Sequence, residues 1–397
     1  MKATGQTFCT VFPAYRDFHF YKDPGQIPFR FSRLGYTSLV VTLADDADVI
    51  ASRSTLNIIA IKSTFFNRRF NLGIVRYLLV KGRKINILNL FHFSWQSLLF
   101  ATLYKKLNPG GFVYLKMDSS RYSGVYEWER NFAGSPDPAS GPESGRSLKE
   151  RIKNWLIRKY FTGNVDLWSV EDDHTNQVYQ DQFSFLRGRL VTVYNGHSAD
   201  LPGAENVRQF DEKEDIIITV GRLGAYQKGT ELLLEAFRDI AGGNNFELHL
   251  AGPAEPGFED TMNIYFANNP GLRNRVFLHG NLERDELFRL YNRSRILCMP
   301  SRFEGMALVF PEAMYYRNAV LTTPYVSPAG IIKEFKLGLV TGSAEPSQLA
   351  DNLMMLIRDR SLMRKMADNA HDFALKNFNW DNIVRELDSE INRRRNV

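Results

Sequence analysis

Cysteine is nearly absent: 397 residues hold two, Cys9 and Cys298, each inside an apolar run. Two distant cysteines build neither a disulfide framework nor a CxxC metal pair, and they fit a reducing cytoplasm. Long apolar runs are also missing. No window approaches about 18 consecutive apolar residues, so no membrane-spanning helix is expected. The first residues, MKATGQTFCTVF, lack the apolar stretch of a signal peptide. Neither GxGxxG nor a Walker A sequence occurs, which argues against a nicotinamide cofactor and against an ATPase. No nucleic-acid-binding motif accompanies the net charge of +6, so nucleic acid is not an expected partner.

The charge that is present is unevenly spread. Residues 1–200 hold 26 Lys and Arg against 17 Asp and Glu, a net +9, which leaves −3 for the remainder. A basic half points to an acidic partner such as anionic lipid or a phosphorylated acceptor. A solvated surface without a partner explains it equally well. Residues 131–147, NFAGSPDPASGPESGRS, are rich in Pro, Gly and Ser and read as a mobile loop. The next segment, LKERIKNWLIRKYF (148–161), has an apolar stripe beside five Lys and Arg. Such a helix can lie on an anionic membrane, or it can face a core with a solvated basic side.

Along the chain, short and nearly continuous apolar runs alternate with segments of helical period. TFCTVF, SLVVTL, NIIAI, INILNL, FVYLK, VDLWSV and LVTV come first, then IIITV, FELHLA, VFLHG, ILCMP and AVLTT. Between them lie segments such as FNLGIVRYLLVKG, SWQSLLFATLYKKL, TELLLEAFRDIAG and RDELFRLYNRS. This alternation implies parallel sheets covered on both faces. Two such series in tandem imply two doubly wound α/β domains. The expected division is 1–200, 201–377 and a closing helix at 378–397, with a polar linker near 200–215.

In open α/β sheets, ligands bind beyond the carboxyl ends of the strands. After IIITV comes GRLGAYQKG. Gly221 lets a ligand approach the backbone, and Arg222 and Lys228 can neutralise a pyrophosphate. After ILCMP comes SRFEGMALVFPEAM (301–314). Pro311 suits the first turn of a helix starting near Phe310. Gly305, Met306, Ala307 and Leu308 then lead into that helix, with amides that can meet an anion or sugar hydroxyls. Glu304 and Glu312 flank this approach and can accept hydrogen bonds from vicinal hydroxyls.

These two stretches together resemble the donor-binding signature of retaining GT-B glycosyltransferases of the "group 1", or family 4, class, with its Glu-x7-Glu motif. VTVYNGHSAD (191–200), HLAGP (249–253) and FNWDNIVREL (378–387) extend the resemblance over about 200 residues of the second half. It implies two Rossmann-like domains facing across a crevice, with a C-terminal helix crossing back. It also implies a hexose moved from a UDP- or GDP-linked sugar to a lipid-linked or saccharide acceptor. No cofactor and no metal are implied; the segment ADDADV, with Asp46 and Asp48, is not read as a metal site. Arg222 and Lys228 would hold the pyrophosphate, and Glu312 the ribose. Glu304 and residues 305–308 would hold the transferred sugar and its phosphate. The basic first half and the basic segment 148–161 favour a lipid-phosphate-linked acceptor at the inner face of a membrane, as in polysaccharide or glycolipid assembly, with the protein itself in the cytoplasm. A non-catalytic nucleotide-sugar-binding scaffold is the alternative.

The chain departs from the pattern at three positions. Met306 and Ala307 stand where Phe and Gly or Pro are frequent, in the expected sugar pocket. Arg317 stands where Gly is common, and only packing is expected to change. In the first half, Pro24 and Gly25 are expected to form a turn ahead of a helix near RFSRLG, setting Gly25 toward the donor phosphate. Lys22 and Asp23 are acceptor-side candidates. His92 ends the INILNLF strand, with a buried structural role as its plainer reading. Asp118 follows the FVYLK strand and is expected beside the reacting sugar.

Overall fold

The computed structural model describes residues 4–44, 52, 55–62, 64, 71–117, 160–197 and 207–396. The linker near residue 200, Asp46 and Asp48, Asp118, the Pro/Gly/Ser-rich segment and residues 148–159 of the basic segment lie outside the described residues. The chain divides into two compact units. One comprises Met1–Tyr194 with Trp380–Val397, the other Asn195–Asn379.

Among the described residues the first unit is built on seven strands: β1 (Thr7–Val11), β2 (Thr37–Leu43), β3 (Ile58–Ile61), β4 (Ile87–Phe91), β5 (Phe112–Lys116), β6 (Leu167–Val170) and β7 (Leu190–Thr192). All pair in parallel in the order β3-β2-β1-β4-β5-β6-β7. β4 and β5 are buried throughout, which explains why they read as apolar runs rather than alternating ones. Among the described residues its α-helices are α1 (Asp23–Arg33), α2 (Leu72–Lys81), α3 (Trp95–Leu107) and α4 (Asp173–Gln182). α3 starts where the Ser94 hydroxyl accepts the Ser97 amide at 3.2 Å, which satisfies one of the free amides at the helix start.

Ile74 and Leu78 of α2 and Leu98, Ala101 and Tyr104 of α3 pack on one face of this sheet. On the other face, Phe31 of α1 stacks on Phe8 at 3.8 Å between ring centres. That face also receives Trp380, Val384, Leu387 and Ile391. The closing helix of the chain therefore completes the core of the first unit.

The second unit carries β8 (Ile216–Val220), β9 (Glu247–Ala251), β10 (Val276–Gly280), β11 (Ile296–Met299), β12 (Ala319–Thr322) and β13 (Gly338–Val340), again all parallel, in the order β10-β9-β8-β11-β12-β13. Its helices are α5 (Thr230–Ile240), α6 (Phe258–Asn268), α7 (Arg284–Arg293), α8 (Val309–Tyr315), α9 (Ala329–Glu334), α10 (Pro346–Arg358) and α11 (Arg360–Asn377). The chain closes with α12 (Trp380–Arg395), which belongs to the first unit.

In each sheet the strand order reverses beside the first strand, between β1 and β4 and between β8 and β11. The crevice at such a reversal is where open α/β sheets take ligands.

Arg317 differs from its expectation. It lies just past the end of α8 with φ 59°, the left-handed conformation in which helices most often end on glycine. Its side chain pairs with Asp368. The glycine expected here would serve the backbone, not packing. Both Arg317→Gly and Arg317→Ala lose the ion pair, but only alanine keeps the steric cost. In urea unfolding, Arg317→Gly should therefore exceed Arg317→Ala in stability by about 1 kcal/mol.

Candidate functional site

The second unit brings two loops together at its reversal point, one after β8 and one after β11. The first runs from Gly221 to Gly229. The Gly221 amide donates to Ala251 O at 3.0 Å, and the Leu223 amide to Pro253 O at 2.8 Å, so the loop is moored to the end of β9. Gly229 has φ 62°, and a Cβ on it would stand 2.4 Å from Pro300 O. No other residue lets α5 start so close to the end of β11. The Lys228 stem lies along Gly221, where an added Cβ would meet its Cδ and Cε at 3.2 Å.

Across the reversal, Lys228 Nζ forms an ion pair with Glu304. Both side chains are largely buried, 16% and 13% exposed. Glu304 is held by its backbone as well: its amide donates to Tyr325 O at 3.1 Å and its carbonyl accepts from the Ser327 amide at 3.1 Å. Arg222 is placed differently. It is 57% exposed, reaching Glu255 at 3.3 Å and Gln227 at 3.1 Å.

α8 begins at Val309, one residue before the expected start. Gly305, Ala307 and Leu308 are half-buried, whereas Met306 is buried and its carbonyl accepts from Asn195 Nδ2 at 2.9 Å. Glu312 is almost fully buried and pairs with Arg284, the first residue of α7. Burial pushes the Glu312 carboxyl above the usual range, and the Arg284 guanidinium opposes that rise. The two glutamates thus have separate cationic partners.

In the first unit the strand ends carry another polar group. Lys116, the last residue of β5, is fully buried. Its Nζ donates to Val193 O at 2.8 Å and lies 3.8 Å from Asp23 and 3.7 Å from Glu171. Lys22 is exposed, its Nζ 5.1 Å from the centre of the Phe18 ring.

His92 departs from the buried reading. It is exposed, with φ 61°, and its ring lies 5.5 Å from Phe12. The residue turns the chain sharply at the end of β4, which lifts the ring out of the core. Gly25 is also not in a turn ahead of a helix. α1 already starts at Asp23 with Pro24 in its first turn, and a Cβ on Gly25 would stand 2.4 Å from Phe20 Cα. Close backbone approach accounts for this glycine.

Sequence reasoning missed Lys116, Glu171 and Arg284. A lysine closing the apolar run FVYLK was a signal for the first. No local pattern marks Arg284 as the partner of a residue 28 positions on.

His19 stands beside His92 and Lys22. Burial, then the Lys22 charge, lower its pKa to about 4. The Arg16 amide donates to its Nδ1 at 2.9 Å, which occupies that nitrogen's lone pair. An unfolded histidine binds its proton near pH 6.5. Between about pH 6.5 and 4 the unfolded chain therefore holds more protons, and stability falls as pH falls. Burial shifts His249, His279 and His371 in the same direction. Chemical denaturation at stepped pH should show this decline, with a shallower slope in His19→Gln.

These two sheets, with a closing helix that returns to the first, define the GT-B fold. Residues 204–373 match the family model of "Glycosyl transferases group 1". An uncharacterised glycosyltransferase of Methanocaldococcus jannaschii is 26% identical over 238 residues, 60% of this chain and 62% of the relative. The match thus spans about three fifths of that relative's length.

Among solved structures, a glycosyltransferase from Rickettsia africae superposes with a TM-score of 0.71 at 15% identity, covering 98% of both chains. Anabaena HepE in complex with UDP and glucose superposes with a TM-score of 0.66 at 14% identity, covering 98% of this chain and 100% of the other. Among the described residues no helix is long and apolar enough to cross a membrane.

Proposed function

We propose that this chain is a retaining glycosyltransferase that moves a hexose from a nucleoside-diphosphate sugar to an acceptor hydroxyl. The observation that carries the reading is the Lys228–Glu304 pair, which joins the loops after β8 and β11 at the strand reversal. A cation there suits the donor's diphosphate, and a carboxylate beside it suits the hydroxyls of the transferred sugar. Buried Glu312, held by Arg284, is suited to the ribose hydroxyls. The amides of residues 305–308 and the half-exposed Arg222 complete the donor contacts. UDP is the favoured nucleotide, because the Anabaena neighbour was crystallised with UDP and glucose; GDP is the second choice.

In the proposed reaction the sugar C1–O bond to the diphosphate breaks. A new C1–O bond forms to the acceptor on the same face. The acceptor's proton passes to the departing phosphate oxygen. No protein nucleophile, cofactor or metal enters this scheme. Lys228 and Arg222 stabilise the leaving charge, and the protein otherwise acts by positioning. Lys22, Asp23, His92 and Asp118 are the acceptor-side candidates. The acceptor is a lipid-linked or saccharide hydroxyl in polysaccharide or glycolipid assembly, met in the cytoplasm at the surface of an anionic membrane.

The test is release of nucleoside diphosphate from UDP- and GDP-hexoses with candidate acceptors, followed by the anomeric configuration of the product by NMR. Transfer with the donor's configuration kept is expected. An inverted product would overturn retention alone. Donor binding without transfer to any acceptor would favour the scaffold reading.

A further inference from the structure

The outward faces of α2 and α3 combine two features that are unusual together. Leu72, Leu79 and Val80 of α2 are 50%, 54% and 66% exposed, and Trp95 of α3 is 43% exposed. Single exposed apolar side chains are ordinary; a group on neighbouring helices calls for an explanation. The two helices cover the same sheet face and follow adjacent crossovers, so their outward stripes run side by side.

The second feature is charge. Between Asp48 and Asp118 the sequence contains no Asp or Glu and eleven Lys and Arg. Exposed Arg76 lies between Leu72 and Leu79, and exposed Lys81, Arg83 and Lys84 follow Val80 directly. Lys106 is exposed near the end of α3. Lys105 does not belong to this group, because Asp166 holds it at 2.7 Å.

We propose that this face of the first unit docks on an anionic lipid bilayer. The inference deepens the membrane-surface part of the proposed function and names the surface responsible. Aliphatic side chains ringed by cations match a bilayer interface, which offers apolar depth beneath anionic headgroups. A nucleic acid would use the cations but leave Leu79 and Val80 in water. The aromatic pair Trp95 and Phe161, 5.1 Å apart, continues the face toward the end of the 148–161 segment. Trp95, with its apolar body and indole N–H, suits the headgroup level of a membrane.

The test is cosedimentation of the full chain with vesicles of phosphatidylcholine alone and of phosphatidylcholine with phosphatidylglycerol, at low and high salt. Binding to the anionic vesicles only, weakened by salt, is expected. The double variant Arg83→Glu with Lys84→Glu should weaken partitioning about tenfold or more. Leu79→Ser with Val80→Ser should weaken it at any salt concentration. All four positions are exposed, so thermal unfolding near the wild-type temperature is expected for both variants.

The inference is overturned by equal binding to neutral vesicles, by binding that survives both variants, or by binding to single-stranded RNA instead of vesicles. Loss only on charge reversal at Lys149, Arg151 and Lys153 would also overturn it, placing the contact elsewhere. Thermal shifts by nucleotide sugars, read in the same variants, separate this outcome from failure of the donor site. The variants should keep those shifts whatever the vesicles report.

Discussion

Lys228→Ala is expected to lower turnover by about 10²–10³, the loss typical when one stabiliser of developing negative charge is removed from a preorganised site. The expectation follows from placement. The Lys228 stem is confined along Gly221, and its ammonium meets Glu304 across the strand reversal. A flexible surface lysine would be replaced by solvent at little cost. This one delivers its charge to a fixed point. Lys228→Arg should recover little, because the guanidinium is larger and planar and the confined path was shaped by an ammonium stem. Steady-state release of nucleoside diphosphate checks both variants. Arg222→Ala should lose less than Lys228→Ala, since Arg222 is over half exposed.

The largest stability effect is expected at Arg284. Arg284→Met leaves the almost fully buried Glu312 carboxylate without its cation. Removing one partner of a buried ion pair costs about 3–5 kcal/mol. The pH dependence has a definite sign. Glu312 already has a raised pKa in the folded chain, from burial, and loss of the arginine raises it further. The folded chain then binds more protons than the unfolded one above the ordinary carboxyl range. Stability therefore falls as pH rises through that window. Urea unfolding of Arg284→Met should show the smallest loss near pH 5 and the largest at neutral pH. Adding Glu312→Gln, which removes the buried charge, should restore a substantial part of the loss.

Much of the fold was legible because parallel strands covered on both faces are short apolar runs, and twelve of the thirteen strands among the described residues are spelled that way. β13 escaped because Gly338–Val340 opens on a glycine, which leaves only two apolar side chains to mark the strand. Its glycine is dictated by a neighbour instead: a Cβ there would stand 1.8 Å from Val320 O. The helix after β11 was legible from Pro311, and it begins within one residue of the expected start.

The polar partners were not legible. Glu304 with Lys228 and Glu312 with Arg284 are separated by 76 and 28 positions, and nothing local couples them. His92 was misread because an apolar strand predicts burial for its last residue. The left-handed turn that exposes the ring depends on where the chain goes next. Arg317 was misread for a similar reason: a residue's conformation at a helix end is set by the exit path, which its own side chain does not reveal.

The central claim is that the loops after β8 and β11 bind a nucleoside-diphosphate sugar. The most direct measurement is the unfolding temperature of the purified chain with UDP-, GDP-, ADP- and TDP-sugars, in wild type and Lys228→Ala. One nucleotide should stabilise the wild type, by about 2.7 kcal/mol at a ligand concentration one hundred times Kd. The shift should vanish or shrink sharply in the variant. No shift with any of the four, or a shift that Lys228→Ala leaves intact, would contradict the account.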